Sequence, residues 1–257
     1  MIQPDYEYHG LMAEAWDVLR GDTSGWSDRF FYRELIAQHG QPVLDIGCGT
    51  GRLLLDYLAE DIDIDGIDNS PDMLELCRLK AQAVGLKPNL YQQQLEDLNL
   101  PRQYATILIP SSSLQLITEP ALVQQALQHV DAHLLAGGVV AASIMTLWQP
   151  DDPLESTFAD EATRSSDGVV FRRESWSRFD PTSHCEATND RYQKIQAGQV
   201  IAEELHQRDP ATRSYQQAEI KALFEQAGFV EVHLYQGFAW QLAEPHEQLF
   251  CVVARKA

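Results

Sequence analysis

Three glycines at alternate positions follow a carboxylate in VLDIGCGTGRLLLDYL, residues 43–58: Asp45, then Gly47, Gly49 and Gly51, with Cys48 inside the run. A strand, a glycine loop and a helix in that order let backbone approach a ligand closely. Two ligand classes compete for such a loop. A pyrophosphate on a helix N-terminus calls for GxGxxG, but here the spacing is GxGxG and Arg52 stands at the last dinucleotide position. Asp45 separates the two classes further. Like charges 4 Å apart in wet surroundings repel by about 1 to 4 kcal/mol, so a carboxylate at the loop's mouth suits a ligand end that carries positive charge.

S-adenosylmethionine has no phosphate and carries an ammonium and a sulfonium. Asp68, in IDGIDNSPDML, comes about twenty residues after the loop, at the tip of the next strand, where it can accept both ribose hydroxyl hydrogens. Dinucleotides use such an acid too, so Asp68 points to an adenosine ligand without choosing between the classes.

The elements that must hold these residues follow from periodicity. Residues 1–40 carry apolar side chains in a helical rhythm (Leu11, Ala15, Trp16, Leu19, then Phe30, Phe31, Leu35, Ile36), broken by the turn GDTSGWSD. Strands are expected at 43–46, 62–68, 89–93, 104–109 and 139–145. Ser70-Pro71-Asp72 opens a helix: the Ser oxygen caps it, Pro suits its first turn and Asp complements its dipole. Glu119-Pro120 opens another, expected to run to Gly137-Gly138, and a short helix is expected near 115–118. This alternation means a parallel sheet with helices on both faces. After Pro150 the texture changes to alternating β-formers at 169–179, 184–195 and 199–208, an antiparallel meander. Ser214 is expected to cap a last helix ending at Gly228, before closing strands at 230–235 and 248–253.

VLDIGCGTGRLLLDYL, GIDNSPDML and HLLAGGVVAASI together resemble the successive motifs of the class I S-adenosylmethionine-dependent methyltransferases. The likeness is close over residues 40–146 and general over the tail. It implies a Rossmann-like α/β fold whose seven-stranded, mostly parallel sheet has the order 3-2-1-4-5-7-6, strand 7 antiparallel, with an antiparallel β insertion after strand 5. It implies one methyltransferase domain over 1–257, an N-terminal helical lid at 1–40, and the insertion at 150–210 as substrate lid or subunit interface. It further implies that Asp45, Gly47, Cys48, Gly49 and Gly51 surround the methionine end, that Asp68 holds the ribose, and that Asn69 and Met73 lie near the adenine. Gln94 stands where the family usually has an acid; its carbonyl can accept from the adenine amino group, and the Leu95 N–H can serve the ring nitrogen. Tyr104-Ala105 replaces the family's usual acid at the start of strand 4. Ser111, in Pro110-Ser111-Ser112-Ser113, faces the methyl donor. The insertion and the N-terminal aromatics resemble small-molecule N-methyltransferases, including those acting on amino sugars.

The resemblance implies in-line SN2 transfer of a methyl group to a small-molecule acceptor, an amine, with S-adenosyl-L-methionine as co-substrate and no metal. The sequence marks no catalytic base. Tyr6, Tyr8, Trp16, Trp26 and Tyr32 either form an aromatic lid over the sulfonium or pack in the core. His184, His206 and His233 read as surface histidines, and Arg172-Arg173 as a solvated pair. Two rival functions remain: a cofactor-binding module without turnover that acts through a protein partner, and a dinucleotide oxidoreductase.

The bulk properties bound the rest. The 257 residues carry a formal charge of −19, which disfavours nucleic acid and anionic membranes as partners. Cys48, Cys77, Cys185 and Cys251 show no zinc spacing and read as reduced thiols of a cytoplasmic protein. MIQPDYEYHG is no basic leader, and no apolar run reaches about 20 residues. Exposed alternating strands need covering, so a homodimer is expected.

Overall fold

The computed structural model describes residues 8–257. Two helices lead, α1 (Gly10–Arg20) and α2 (Ser27–His39). The alternating unit follows: β1 (Val43–Ile46), α3 (Leu54–Ala59), β2 (Ile64–Asp68), α4 (Pro71–Ala83), β3 (Asn89–Gln92), β4 (Tyr104–Ile109), α5 (Pro120–His133) and β5 (Leu134–Met145). One-turn 3-10 helices occupy Leu95–Asp97 and Ser113–Leu116. A meander of β6 (Glu155–Thr163), β7 (Val170–Asp180), β8 (Cys185–Gln196) and β9 (Gln199–Arg213) comes next, then α6 (Gln217–Gln226), β10 (Phe229–Gln236) and β11 (Leu249–Lys256).

β1 to β5, β10 and β11 form one seven-stranded sheet in the order β3-β2-β1-β4-β5-β11-β10. β11 runs antiparallel to both its neighbours and the other pairings are parallel. Numbered within the sheet, this is the expected 3-2-1-4-5-7-6. Every residue of β1, β2 and β4 is buried, as expected of parallel strands covered on both faces. α5 and α6 pack on one face through Val123, Leu127, Ile220 and Phe224. α2, α3 and α4 pack on the other through Phe31, Leu35, Leu54 and Leu74. β6 to β9 form a separate four-stranded antiparallel sheet.

Three expectations need correction. α5 stops at His133, and β5 begins at Leu134, which pairs with Tyr104. The two glycines therefore lie within the strand. A Cβ on Gly138 would stand 3.0 Å from the Ala105 carbonyl oxygen, where β4 and β5 shift register, so its small size serves close strand packing. Ser214 does not cap α6, which starts at Gln217; its Oγ accepts from Leu147 N (2.9 Å) and ties the exit of β5 to the end of β9. The meander has one strand more than expected, β6, ahead of the three that alternation marks, and its last strand runs on to Arg213. β6, ESTFADEAT, is exposed along almost its whole length, so it carries no apolar alternation to read.

Tyr104 acquires a physical role. Its hydroxyl donates to buried Asp65 Oδ2 (2.8 Å), which also accepts from Arg102 Nε (2.9 Å), while Asn89 Nδ2 donates to Asp65 Oδ1 (3.0 Å). A buried carboxylate is stable only with such partners. Gln115 is a second buried hub. Its Nε2 donates to the carbonyls of Met145 (2.8 Å) and Arg213 (2.7 Å), and its Oε1 accepts from Met145 N (2.7 Å), joining β5 to the insertion's last strand.

Candidate cofactor and acceptor site

A cavity opens at the carboxyl ends of β1, β2 and β4, the crevice where open α/β sheets place ligands. Asp45, Gly47, Cys48, Gly49, Asp68, Asn69, Met73, Gln94, Leu95 and Ser111 all line it. Gly51 does not. A Cβ there would stand 2.7 Å from Cys77 Sγ and 2.8 Å from Leu55 Cγ, so this glycine lets the loop sit against α4 behind the cavity. Gly47 has a different reason to be glycine. Its φ is +69°, and a Cβ would come within 2.5 Å of Ser113 Oγ.

Asp45 is 1% exposed, and among the described residues its Oδ1 has no hydrogen-bond partner. Burial pushes its carboxyl up to about 7, against the pull of the Arg52 guanidinium. Asp68 sits across the loop. Its Oδ2 accepts from Gly49 N (2.9 Å) and its Oδ1 from Ser70 N (2.9 Å), so it fixes the glycine loop as well as facing the cavity. Burial raises it too, with these backbone N–H groups opposing. Ser70 caps α4 as expected, accepting from Met73 N (3.1 Å), and thereby holds Met73 in the wall. Ser111 and Ser112 both adopt left-handed backbone, at φ 54° and 58°, a conformation rare outside glycine and concentrated at functional sites.

α1 covers the opening. Thr50 Oγ1 donates to Asp17 Oδ1 (2.6 Å), Gly10 N to Asp72 Oδ2 (2.8 Å), and Ser70 Oγ to the Tyr8 carbonyl. On its other side α1 meets the insertion. Glu14 pairs with Arg164 (2.9 Å) and Lys194 (2.6 Å), and Leu11, Met12 and Ala15 pack on Val169, Phe171 and Tyr192. The aromatics of this region divide. Tyr8 and Trp16 line the cavity edge-to-face, with ring centroids 4.6 Å apart. Trp26 is 40% exposed and flanks Arg20 and Arg52, while Tyr32 is fully buried in the core beside Phe31 and Phe238. Tyr6 lies outside the described residues.

Arg20 is a site residue that the motifs did not mark. It lines the cavity with its guanidinium 3.8 Å from the Trp16 ring centroid, and among the described residues it makes no hydrogen bond or ion pair. Burial lowers its pKa. Trp16 and Arg20 are four apart on one helix, so the WDVLR spacing was the available signal. Arg52 differs, because its guanidinium is bound by buried Asp28. The insertion also contributes: Arg208 lines the cavity and Arg173 pairs with buried Asp190 (2.9 Å). Of the presumed solvated pair only Arg172 is outward, bonded to Glu161 (2.7 Å). His206 corrects the surface reading of the histidines, because it is 4% exposed beneath the turn before α1.

Residues 43–138 match the family profile of the methyltransferase domain. That stretch is similar to a methyltransferase domain, and the fold around it is that of the Rossmann-like S-adenosylmethionine-dependent methyltransferases. A dTDP-3-amino-3,6-dideoxy-alpha-D-glucopyranose N,N-dimethyltransferase from Streptomyces fradiae is 28% identical over 160 residues, covering 58% of this chain and 58% of that protein. The chain spans less than two thirds of the length of the curated relatives it matches. Two solved structures share the fold. An S-adenosylmethionine-dependent methyltransferase from Clostridium acetobutylicum ATCC 824 superposes with TM-score 0.75 at 19% identity, covering 94% of this chain and 96% of that one. The sugar N-methyltransferase KedS8 from Streptoalloteichus sp ATCC 53650 superposes with TM-score 0.74 at 20% identity, covering 99% and 96%. Among the described residues no helix is long and apolar enough to cross a membrane.

Proposed function

We propose that this chain transfers a methyl group from S-adenosylmethionine to the amine of a small molecule, of the amino-sugar class. The observation that carries the cofactor half is the orphaned, buried Oδ1 of Asp45 beside Gly47. A buried acceptor without a partner is costly, and a cationic ligand group in the cavity answers it. The remaining donors suit the rest of the molecule. Arg20 offers a guanidinium to a carboxylate, Asp68 accepts from ribose hydroxyls, and Gln94 and the Leu95 N–H meet the adenine edge above Met73. Cys48, Gly49 and Asn69 complete the wall as backbone and small side chains.

S-adenosylmethionine supplies an electrophilic methyl on a sulfonium. The chain's own contribution is alignment and exclusion of water. α1 and the meander cover the cavity, so the acceptor enters between Ser111–Ser113 and the insertion's inner face. The amine must arrive with its lone pair free, and a covered cavity favours the neutral form. The amine assignment rests on the activities named for the Streptomyces fradiae relative and the Streptoalloteichus protein. Its test is incubation with S-adenosylmethionine and a panel of amino sugars and nucleotide-linked amino sugars, read by mass. A gain of one or two methyl groups on nitrogen is the expected result. Methylation only of hydroxyl acceptors in a parallel panel would overturn the amine assignment.

A further inference from the structure

His9, Glu204 and His206 come together from the two ends of the chain, and nothing in the methyl-transfer site uses them. His9 is the N-cap position of α1, and Glu204 and His206 share the inner face of β9. One donor atom from each lies within 4.8 Å of the others. The imidazole rings of His9 and His206 lie 4.4 Å apart between centroids, tilted by 35°. Glu204 Oε2 accepts from Leu11 N (2.7 Å) and contacts His206 Nε2 (3.1 Å), which holds the carboxylate against both histidines.

We propose that His9, Glu204 and His206 bind one divalent transition-metal ion of the zinc class, fastening the turn before α1 to β9 of the insertion. This stands apart from the methyl-transfer reading and concerns a site beside the cavity. Two imidazoles and a carboxylate are a donor set that zinc and its neighbours accept, with bonds of about 2.0–2.2 Å. Two further observations support it. His206 is 4% exposed, yet among the described residues its Nδ1 has no hydrogen-bond partner; a ring so buried needs one. Gly10 has φ +53°, and a Cβ there would fall 2.3 Å from Glu204 Oε2, so the backbone is shaped to admit this carboxylate. Tetrahedral donors on bonds of about 2.1 Å stand about 3.4 Å apart, so capture requires the side chains to close by about an ångström. His9 and Glu204 are partly exposed and have that freedom.

No local motif marks this site, because its ligands lie almost 200 residues apart in sequence. Its geometric consequence concerns the cavity. Tyr8 precedes His9 in the chain, Arg208 lies two residues beyond His206 on the same strand face, and both line the cofactor cavity.

The test uses the full chain freed of metal by a chelator, then titrated with Co²⁺ under visible spectroscopy and with Zn²⁺ by calorimetry. The expected result is one equivalent of Co²⁺ with visible ligand-field bands, displaced by Zn²⁺, and absent in His206→Gln and in His9→Gln. His9 sits on a partly exposed turn, so His9→Gln remains informative if His206→Gln does not fold by circular dichroism. Three outcomes would each overturn the proposal. They are no bands and no heat in the wild-type chain, binding unchanged in a folded His9→Gln chain, or sulfur-to-cobalt charge transfer placing the ion on a cysteine.

Discussion

The two sheets of this protein are held by different forces. The seven-stranded sheet buries β1, β2 and β4 completely, and its few interior carboxylates each have a defined setting: Asp65 collects Arg102, Tyr104 and Asn89, Asp68 collects two loop N–H groups, and Asp45 has an oxygen without a partner among the described residues. The insertion is stitched by ion pairs across its strands, among them Arg172–Glu161 and Arg191–Glu203, on an outer face open to water. Buried polar groups in a low-dielectric interior are strongly coupled to stability, whereas exposed pairs contribute little. The core sheet is therefore a fixed platform for the cofactor, and the insertion is a cover whose charges can change without unfolding the platform.

The largest difference should come from cutting one charge hub in each sheet. Asp65→Ala strands the buried Tyr104 hydroxyl and leaves Arg102 with Asp63 alone; urea unfolding should lose about 1–3 kcal/mol, the cost of a buried polar group left without its partner. Arg191→Ala cuts exposed pairs and should cost under about 1 kcal/mol. Equal losses in the two variants would collapse the distinction.

Next in size is the glycine loop. Gly47→Ala forces a side chain into a left-handed backbone and onto Ser113 Oγ, a cost of about 1–3 kcal/mol. S-adenosylmethionine affinity should fall about ten- to a hundredfold by calorimetry, the same energy expressed as binding. Gly51→Ala presses instead on Cys77 and Leu55, so its thermal midpoint should fall more than its affinity.

A subtler effect separates stability from binding at Asp45. Its folded pKa, near 7, stands above the unfolded value of about 3.9. The native state therefore holds more protons between those values. Relative to Asp45→Asn, stability should be fully present below about pH 4 and fall as pH rises through about 7. A cationic ligand favours the ionised carboxylate, so cofactor affinity should move oppositely and rise across that same range. Parallel pH profiles for stability and affinity would remove Asp45 from the ligand's charged end.

The core half of this architecture was legible because its signals are local. Asp45, Gly47 and Gly49 sit within five residues, and Ser70-Pro71-Asp72 is a complete helix start. The strand order followed from alternation plus the resemblance. The helix end at His133 was misread because Gly137-Gly138 looks like a stop signal, while its smallness serves a close approach to the Ala105 carbonyl. Ser214 had the residue type of a cap and is bonded elsewhere. β6 was invisible since an edge strand with both faces wet has no period to detect. Arg20 and the inward-facing Arg173 and His206 depend on how α1 and the insertion meet above the sheet, a long-range arrangement that no window of sequence encodes. Tyr104 shows the converse: its departure from the family pattern became interpretable once Asp65 was seen beside it.

The central claim, that this glycine loop holds S-adenosylmethionine, is tested most directly by calorimetric titration of the wild-type chain and Asp68→Ala. S-adenosylmethionine, its demethylated product and NADH are the three ligands. The account predicts one-site binding of the first two, lost in Asp68→Ala, and none of NADH. Tight NADH binding, or no heat with either sulfur ligand on the folded wild-type chain, would contradict it.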